Sequence, residues 1–245
     1  MKHLDDTEDP RRRLLIQALT TGLLATLLPG GHAKAEGIFG SRPTKLPAGQ
    51  SIYRLAGRVQ VNGKNTSIDS RIQPGDSITT GQDSEIVFVV NDHAMMLRGE
   101  SQLLIEAEKN SAGALVIAAL RILNGKLLSV SRNSPMRIET STSIIGIRGT
   151  GFYVESFPEL SYFCTCYGVT DVTANADPRS KVTVTATHHD RPLYILKNAE
   201  PGRHIQDAPF INHTDQELTL IETLVGRTTP FVFSNDTYNQ PRRDY

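Results

Sequence analysis

The sequence predicts an all-β protein, a sandwich or roll, with one short capped helix near its C-terminus. Three observations carry that prediction. Turn signals recur about every 8 to 12 residues along most of the chain. The runs between them alternate or are rich in β-branched residues. A single capping box, Thr214-Asp215-Gln216-Glu217, precedes an apolar stripe at helical spacing. The 245 residues allow one large β domain or two small ones. Basic and acidic residues balance at 26 each, so no bulk field draws nucleic acid or an anionic membrane. Two cysteines are too few to staple a small scaffold or to fill a four-coordinate zinc site by themselves.

Residues 1–35 read as an export signal. Arg11, Arg12 and Arg13 precede an apolar run from Leu14 to Leu28, followed by Pro29-Gly30-Gly31 and Ala33-Lys34-Ala35. The run is too short to span ~30 Å of hydrocarbon comfortably, and small Ala33 and Ala35 suit a peptidase cutting after Ala35. The arginine cluster resembles a twin-arginine signal, the kind that exports folded proteins. The segment holds five of the 26 basic and four of the 26 acidic residues, which leaves the remaining 210 with a net charge of about −1. No later stretch reaches 18 consecutive apolar residues, so the expectation is a periplasmic chain without a membrane span.

Residues 36–50 read as a leader with little periodicity, and the β domain is expected over 51–155. Arg58-Val59-Gln60-Val61 is a strand that meets Asn62-Gly63, a type I′ hairpin signal because both central positions need positive φ. Pro74-Gly75 marks a second turn, and Glu85 to Val90 is a β-branched strand. Met95 to Leu97, Gln102 to Ile105, Ala114 to Ile122, Lys126 to Val130, Met136 to Thr140 and Gly151 to Glu155 continue the pattern. Asn124-Gly125 reads as another hairpin turn. Residues 156–233 read as a further β segment carrying the cysteines and most of the histidines, plus a helix over 215–225 stopped by Gly226 at C′. Residues 234–245 form a polar tail.

Four stretches together resemble the FecR domain over Ser51 to Glu155: Gly57 to Gly63, Pro74 to Gly81, Leu123 to Leu127 and Gly146 to Val154. A second set, Tyr162 to Gly168, His188 to Pro192 and Asn212 to Leu218, is similar to a stand-alone exported subgroup of FecR-domain proteins. The resemblance implies a periplasmic, β-rich half of a regulator that relays the state of a ferric-siderophore receptor to a sigma factor. Cytoplasmic anti-sigma helices and a membrane helix, which founding members carry, are not expected here.

Chemistry concentrates in few places. Cys164 and Cys166, two apart in a β-prone segment, project from one strand face together with Tyr162. Lys181 to His189 is also strand-like, with Val182, Val184, Ala186 and His188 on one face and Thr183, Thr185, Thr187 and His189 on the other. If these strands pair, two thiolates and His188 converge, and His189, His204, His213 or water completes a tetrahedral site for zinc or copper(I). Against this stand buried structural thiols, a disulfide strained by a Cα spacing of about 6.5 to 7 Å, and thiol redox chemistry. Gly146 to Gly151 superficially suggests a phosphate loop, but Phe152-Tyr153-Val154 continues as strand, so a bulge is expected. Of Met95 and Met96, which face opposite ways on a strand, one is expected to be buried.

The sequence therefore reads as an exported, non-enzymatic binding or signalling module that recruits a protein partner in the cell envelope through its sheet edges. The alternative is a periplasmic metal-binding or thiol-redox protein using Cys164 and Cys166 with His188 and His189. No nucleic acid and no obligatory cofactor are expected, and iron enters only through the resemblance.

Overall fold

A computed structural model describes residues 43–131 and 135–231. The signal segment 1–35, most of the leader and the tail 234–245 lie outside the described residues. In chain order the strands are β1 (Ile52–Ala56), β2 (Val59–Val61), β3 (Lys64–Asn65), β4 (Ser77–Thr80), β5 (Glu85–Val90), β6 (His93–Leu97), β7 (Gln102–Lys109), β8 (Leu115–Ser131), β9 (Met136–Glu139), β10 (Ser143–Ser156), β11 (Leu160–Ala174), β12 (Lys181–Ala186), β13 (Leu193–Leu196) and β14 (Ile205–Asp207), followed by the helix α1 (Asp215–Leu224). The all-β class with a C-terminal helix is what the sequence predicts. No helix among the described residues is long and apolar enough to cross a membrane.

The hydrogen-bonded pairs sort the strands into two layers. One, the front, runs β3-β2-β4-β7-β8-β9-β10-β11-β12; the other, the back, runs β1-β5-β6-β8-β10-β11-β13-β14. Three long strands, β8, β10 and β11, appear in both because each changes partners midway. In β8, residues up to Asn124 pair with β7, whereas those from Gly125 on pair with β10. Pairing is antiparallel throughout, except between β8 and β9.

The Asn124-Gly125 hairpin is not formed; the two expected strands are one, bent at that dipeptide. Gly125 has φ +100°, and a Cβ there would stand 2.0 Å from Ser101 Oγ, so glycine lets the corner close against β7. The expected bulge at Gly146 to Gly151 is present. The register shifts between Arg148 and Phe152, and Gly149 and Gly168, both at positive φ, abut across the corner of β10 and β11. By contrast, Asn62-Gly63 does make the predicted turn between β2 and β3, with φ of 51° and 75°.

Alternation along the back layer explains its near-continuous apolar composition. In β5, Ile86, Phe88 and Val90 face the front layer and join the main core, while Val87 faces away. In β6, Met95 joins the main core and Met96 the second cluster, so both methionines are buried, not one. The outer face of the back layer is covered by α1. Its Leu218, Ile221 and Leu224 are at most 1% exposed, and each such burial contributes about 1.5–3 kcal/mol. The capping box sets where α1 starts: the Glu217 N–H donates to Thr214 Oγ1 at 3.3 Å and the Thr214 N–H donates to Glu217 Oε2 at 3.0 Å. Gly226, at φ +73°, follows the C-cap Val225, as expected.

Candidate functional site

The second apolar cluster, between the back layer and α1, contains the chemistry. Strand alternation puts Tyr162, Cys164 and Cys166 of β11 on the face beneath α1, and both cysteines are free and fully buried. The pair on one face is as the sequence predicts.

The histidines differ from expectation. The strand ends at Ala186, and the Asp190 carboxylate then closes a tight turn by accepting hydrogen bonds from the Thr187 and His188 N–H groups and the Thr187 hydroxyl. His189 takes a left-handed φ of 54°, and its N–H donates to the Cys166 carbonyl at 2.9 Å. Strand parity therefore stops applying after Ala186. It is His189, not His188, that swings in over the cysteines. His188 lies outside, with its side chain 49% exposed and Nε2 3.0 Å from both Asp215 oxygens.

His213 completes the group from the segment just ahead of α1. His189 Nδ1 lies 3.4 Å from Cys164 Sγ, His213 Nε2 lies 3.4 Å from Cys166 Sγ, and the two ring nitrogens are 3.1 Å apart. One ligand atom from each of Cys164, Cys166, His189 and His213 falls within 4.8 Å of every other. His204, another candidate, instead contacts the Leu196 carbonyl through Nδ1 at 3.0 Å and takes no part.

Outer partners orient both imidazoles. His189 Nε2 lies 3.0 Å from Asp215 Oδ1, and His213 Nδ1 lies 2.7 Å from the Ile211 carbonyl. Tyr153 stacks on the His213 ring at 4.5 Å, and Phe210 packs on His189 at 4.2 Å. A buried polar frame holds this approach to the helix: Arg98 donates to both Glu217 oxygens at 3.0 and 3.2 Å and to the Asn212 carbonyl. Asn212 Nδ2 and the Tyr153 hydroxyl both donate to Glu155, at 2.8 and 2.7 Å. Asp215, Arg98 and Glu217 escape sequence reasoning as members of the site. The one signal for Asp215 is its place at the first helical position of the capping box, two residues from His213.

Charge within the cluster is unevenly shared. Burial alone would raise both thiols; hydrogen bonds from Cys166, His189 and His213 nevertheless hold Cys164 well below the usual thiol value, while burial and the neighbouring Cys164 push Cys166 up. Burial opposes charge on His189, but Asp215 and Cys164 raise it to about 9, whereas burial lowers His213. The arrangement can hold a thiolate–imidazolium pair or a borderline-soft cation. A cavity of about 520 Å³ lies elsewhere, beside Leu46, Gln50, Arg71 and Leu224, and none of the four ligands lines it.

No family model matches the chain, and no curated protein matches it. Among solved structures, two crystal structures of a candidate anti-sigma factor from Parabacteroides distasonis ATCC 8503 are similar to it. They share 16% and 15% identity and a TM-score of 0.43, over 54% of this chain and 58% of that one. The matched region thus spans less than two thirds of that protein.

Proposed function

We propose that the chain is an exported, non-enzymatic regulatory module of FecR type that works in the periplasm by binding a protein partner in the cell envelope. The observation that supports this reading best is where the four FecR-like stretches fall in the fold. Each supplies a turn or corner: Gly57 and Asn62-Gly63 flank β2, Pro74-Gly75 leads into β4, Gly125 bends β8, and Gly149 with Gly151 bends β10. Motifs spread over a hundred residues and used architecturally support a shared fold, and the resemblance adds regulation through protein contact. The partner would add a strand at β12, which pairs with β11 alone among the described strands and exposes Lys181, Thr183 and Thr185.

Location and contact are tested together. Protein recovered from the periplasm is expected to begin at Glu36 by intact mass. A photo-crosslinking residue at Thr185 is expected to capture one envelope protein of defined mass, and the same probe at exposed Thr79 of β4 to capture none. Equal crosslinking at both positions would remove strand addition at β12. An unchanged iron-limitation response after gene deletion would remove the link to iron uptake.

A further inference from the structure

We propose that Cys164, Cys166, His189 and His213 form a closed tetrahedral site for one zinc(II) ion. The site goes beyond the regulatory reading.

The distances match such a site. With Zn–N about 2.05 Å and Zn–S about 2.3 Å, tetrahedral angles give N···N edges of about 3.35 Å and N···S edges of about 3.55 Å. Of the six edges, the one between the ring nitrogens is 3.1 Å, the His189–Cys164 and His213–Cys166 edges are 3.4 Å each, and the other three are within 4.8 Å. Four donors at these separations leave room at their centre for one ion.

The outer partners match as well. A ligating imidazole normally donates its other N–H to a carboxylate or carbonyl, which fixes the tautomer and aims the lone pair at the metal. Asp215 does this for His189 at 3.0 Å and the Ile211 carbonyl for His213 at 2.7 Å. With both outer nitrogens so engaged, His189 Nδ1 and His213 Nε2 face each other across the gap.

Charge selects the ion. Two thiolates and two neutral imidazoles sum to −2, which zinc(II) cancels among the ligands themselves, where Cys164, Cys166 and His213 are 0% exposed. Copper(I) would leave one more negative charge beside the buried Asp215 carboxylate. The ligands also come from three separate places: β11, the turn after β12 and the approach to α1. A bound ion therefore ties the N-terminal end of α1 to the sheet it covers.

The experiment uses the reduced full chain, with zinc(II) followed by native mass spectrometry and cobalt(II) followed by absorption. The expected results are one zinc per chain and, with cobalt, intense visible bands of tetrahedral geometry plus a thiolate charge-transfer band. Cys166→Ser and His213→Ala should abolish both, and His188→Ala should leave both unchanged. Asp215→Asn, which removes only an outer partner, should weaken binding about 10- to 100-fold. Zinc should also slow amide exchange in α1. Wild-type protein that takes up no zinc, gives only weak octahedral cobalt bands, or binds copper(I) alone would overturn the assignment. So would zinc retained by His213→Ala or lost from His188→Ala. Where a Cys166 or His213 variant fails to fold by circular dichroism, the wild-type cobalt spectrum decides by itself.

Discussion

Replacing Arg98 by methionine isolates the frame that holds the approach to α1. The guanidinium and Glu217 carboxylate have side-chain exposures of 11% and 10% and meet through two hydrogen bonds at 3.0 and 3.2 Å. Methionine keeps much of the aliphatic stem but leaves Glu217 charged and buried, a change that costs about 3–5 kcal/mol. With a urea slope of about 2–3 kcal/mol/M, that moves the unfolding midpoint down by roughly 1–2.5 M. Glu217→Gln is the matching partner, because glutamine still accepts from the Thr214 N–H and keeps the capping box while removing the charge. Paired with Arg98→Met it leaves no uncompensated ion, so the double variant should be less destabilised than the sum of the singles by about 2 kcal/mol or more. Urea denaturation of the four proteins, followed by far-ultraviolet circular dichroism, measures this coupling. An Arg98→Met cost below about 1 kcal/mol, additive with Glu217→Gln, would refute the assignment of a desolvated pair.

Two further outcomes test the fold and one of its turns. Gly75→Ala and Gly125→Ala impose alanine at φ +102° and +100°, but only the second drives Cβ into Ser101, at 2.0 Å from Oγ. The first should cost about 1–2 kcal/mol and the second about 1–3 kcal/mol more, seen as a lower thermal midpoint; equal costs would contradict the corner. Asp177 accepts from the Gly202 N–H at 2.9 Å, the Arg179 N–H at 3.1 Å and the Ser180 hydroxyl at 3.0 Å, which hold its pKa at about 2. Because that lies below the unfolded value of about 3.9, its stabilisation is full above that pH and is lost as pH falls towards 2. An NMR titration placing the folded carboxyl near 3.9, or an Asp177→Asn variant with unaltered acid sensitivity, would contradict this.

How far the sequence can be read depends on whether a signal is local. Glu85 to Val90 is recovered as β5 because its β-branched run is bounded by turn residues on both sides. Thr214 to Glu217 is recovered because a capping box is satisfied within four residues. Asn62-Gly63 and Asn124-Gly125 look alike, yet only the first reverses the chain. At the second, of the two residues only Gly125 takes positive φ, and the choice between reversal and corner is made by distant partners, β7 before it and β6 and β10 after it. The cysteines' shared face follows from a period of two. His188 and His189 trade places relative to strand parity because that period ends at Ala186, where a side-chain hydrogen-bonded turn takes over. Arg98 and Glu217 are 119 positions apart, and nothing near either residue announces the other.

The three strands that change layers bear on how the molecule assembles. Two sheets joined only by loops can form one after the other, each with its own hairpins. Here neither sheet can be finished first, because β8, β10 and β11 each divide their length between the two sides. An intermediate with one completed layer would leave three half-strands dangling from it with open hydrogen-bonding edges. Closure must wait for contacts between residues far apart in sequence, which is slow for reasons of chain entropy and not of weak packing. The same connectivity removes any seam along which one layer could later peel away from the other.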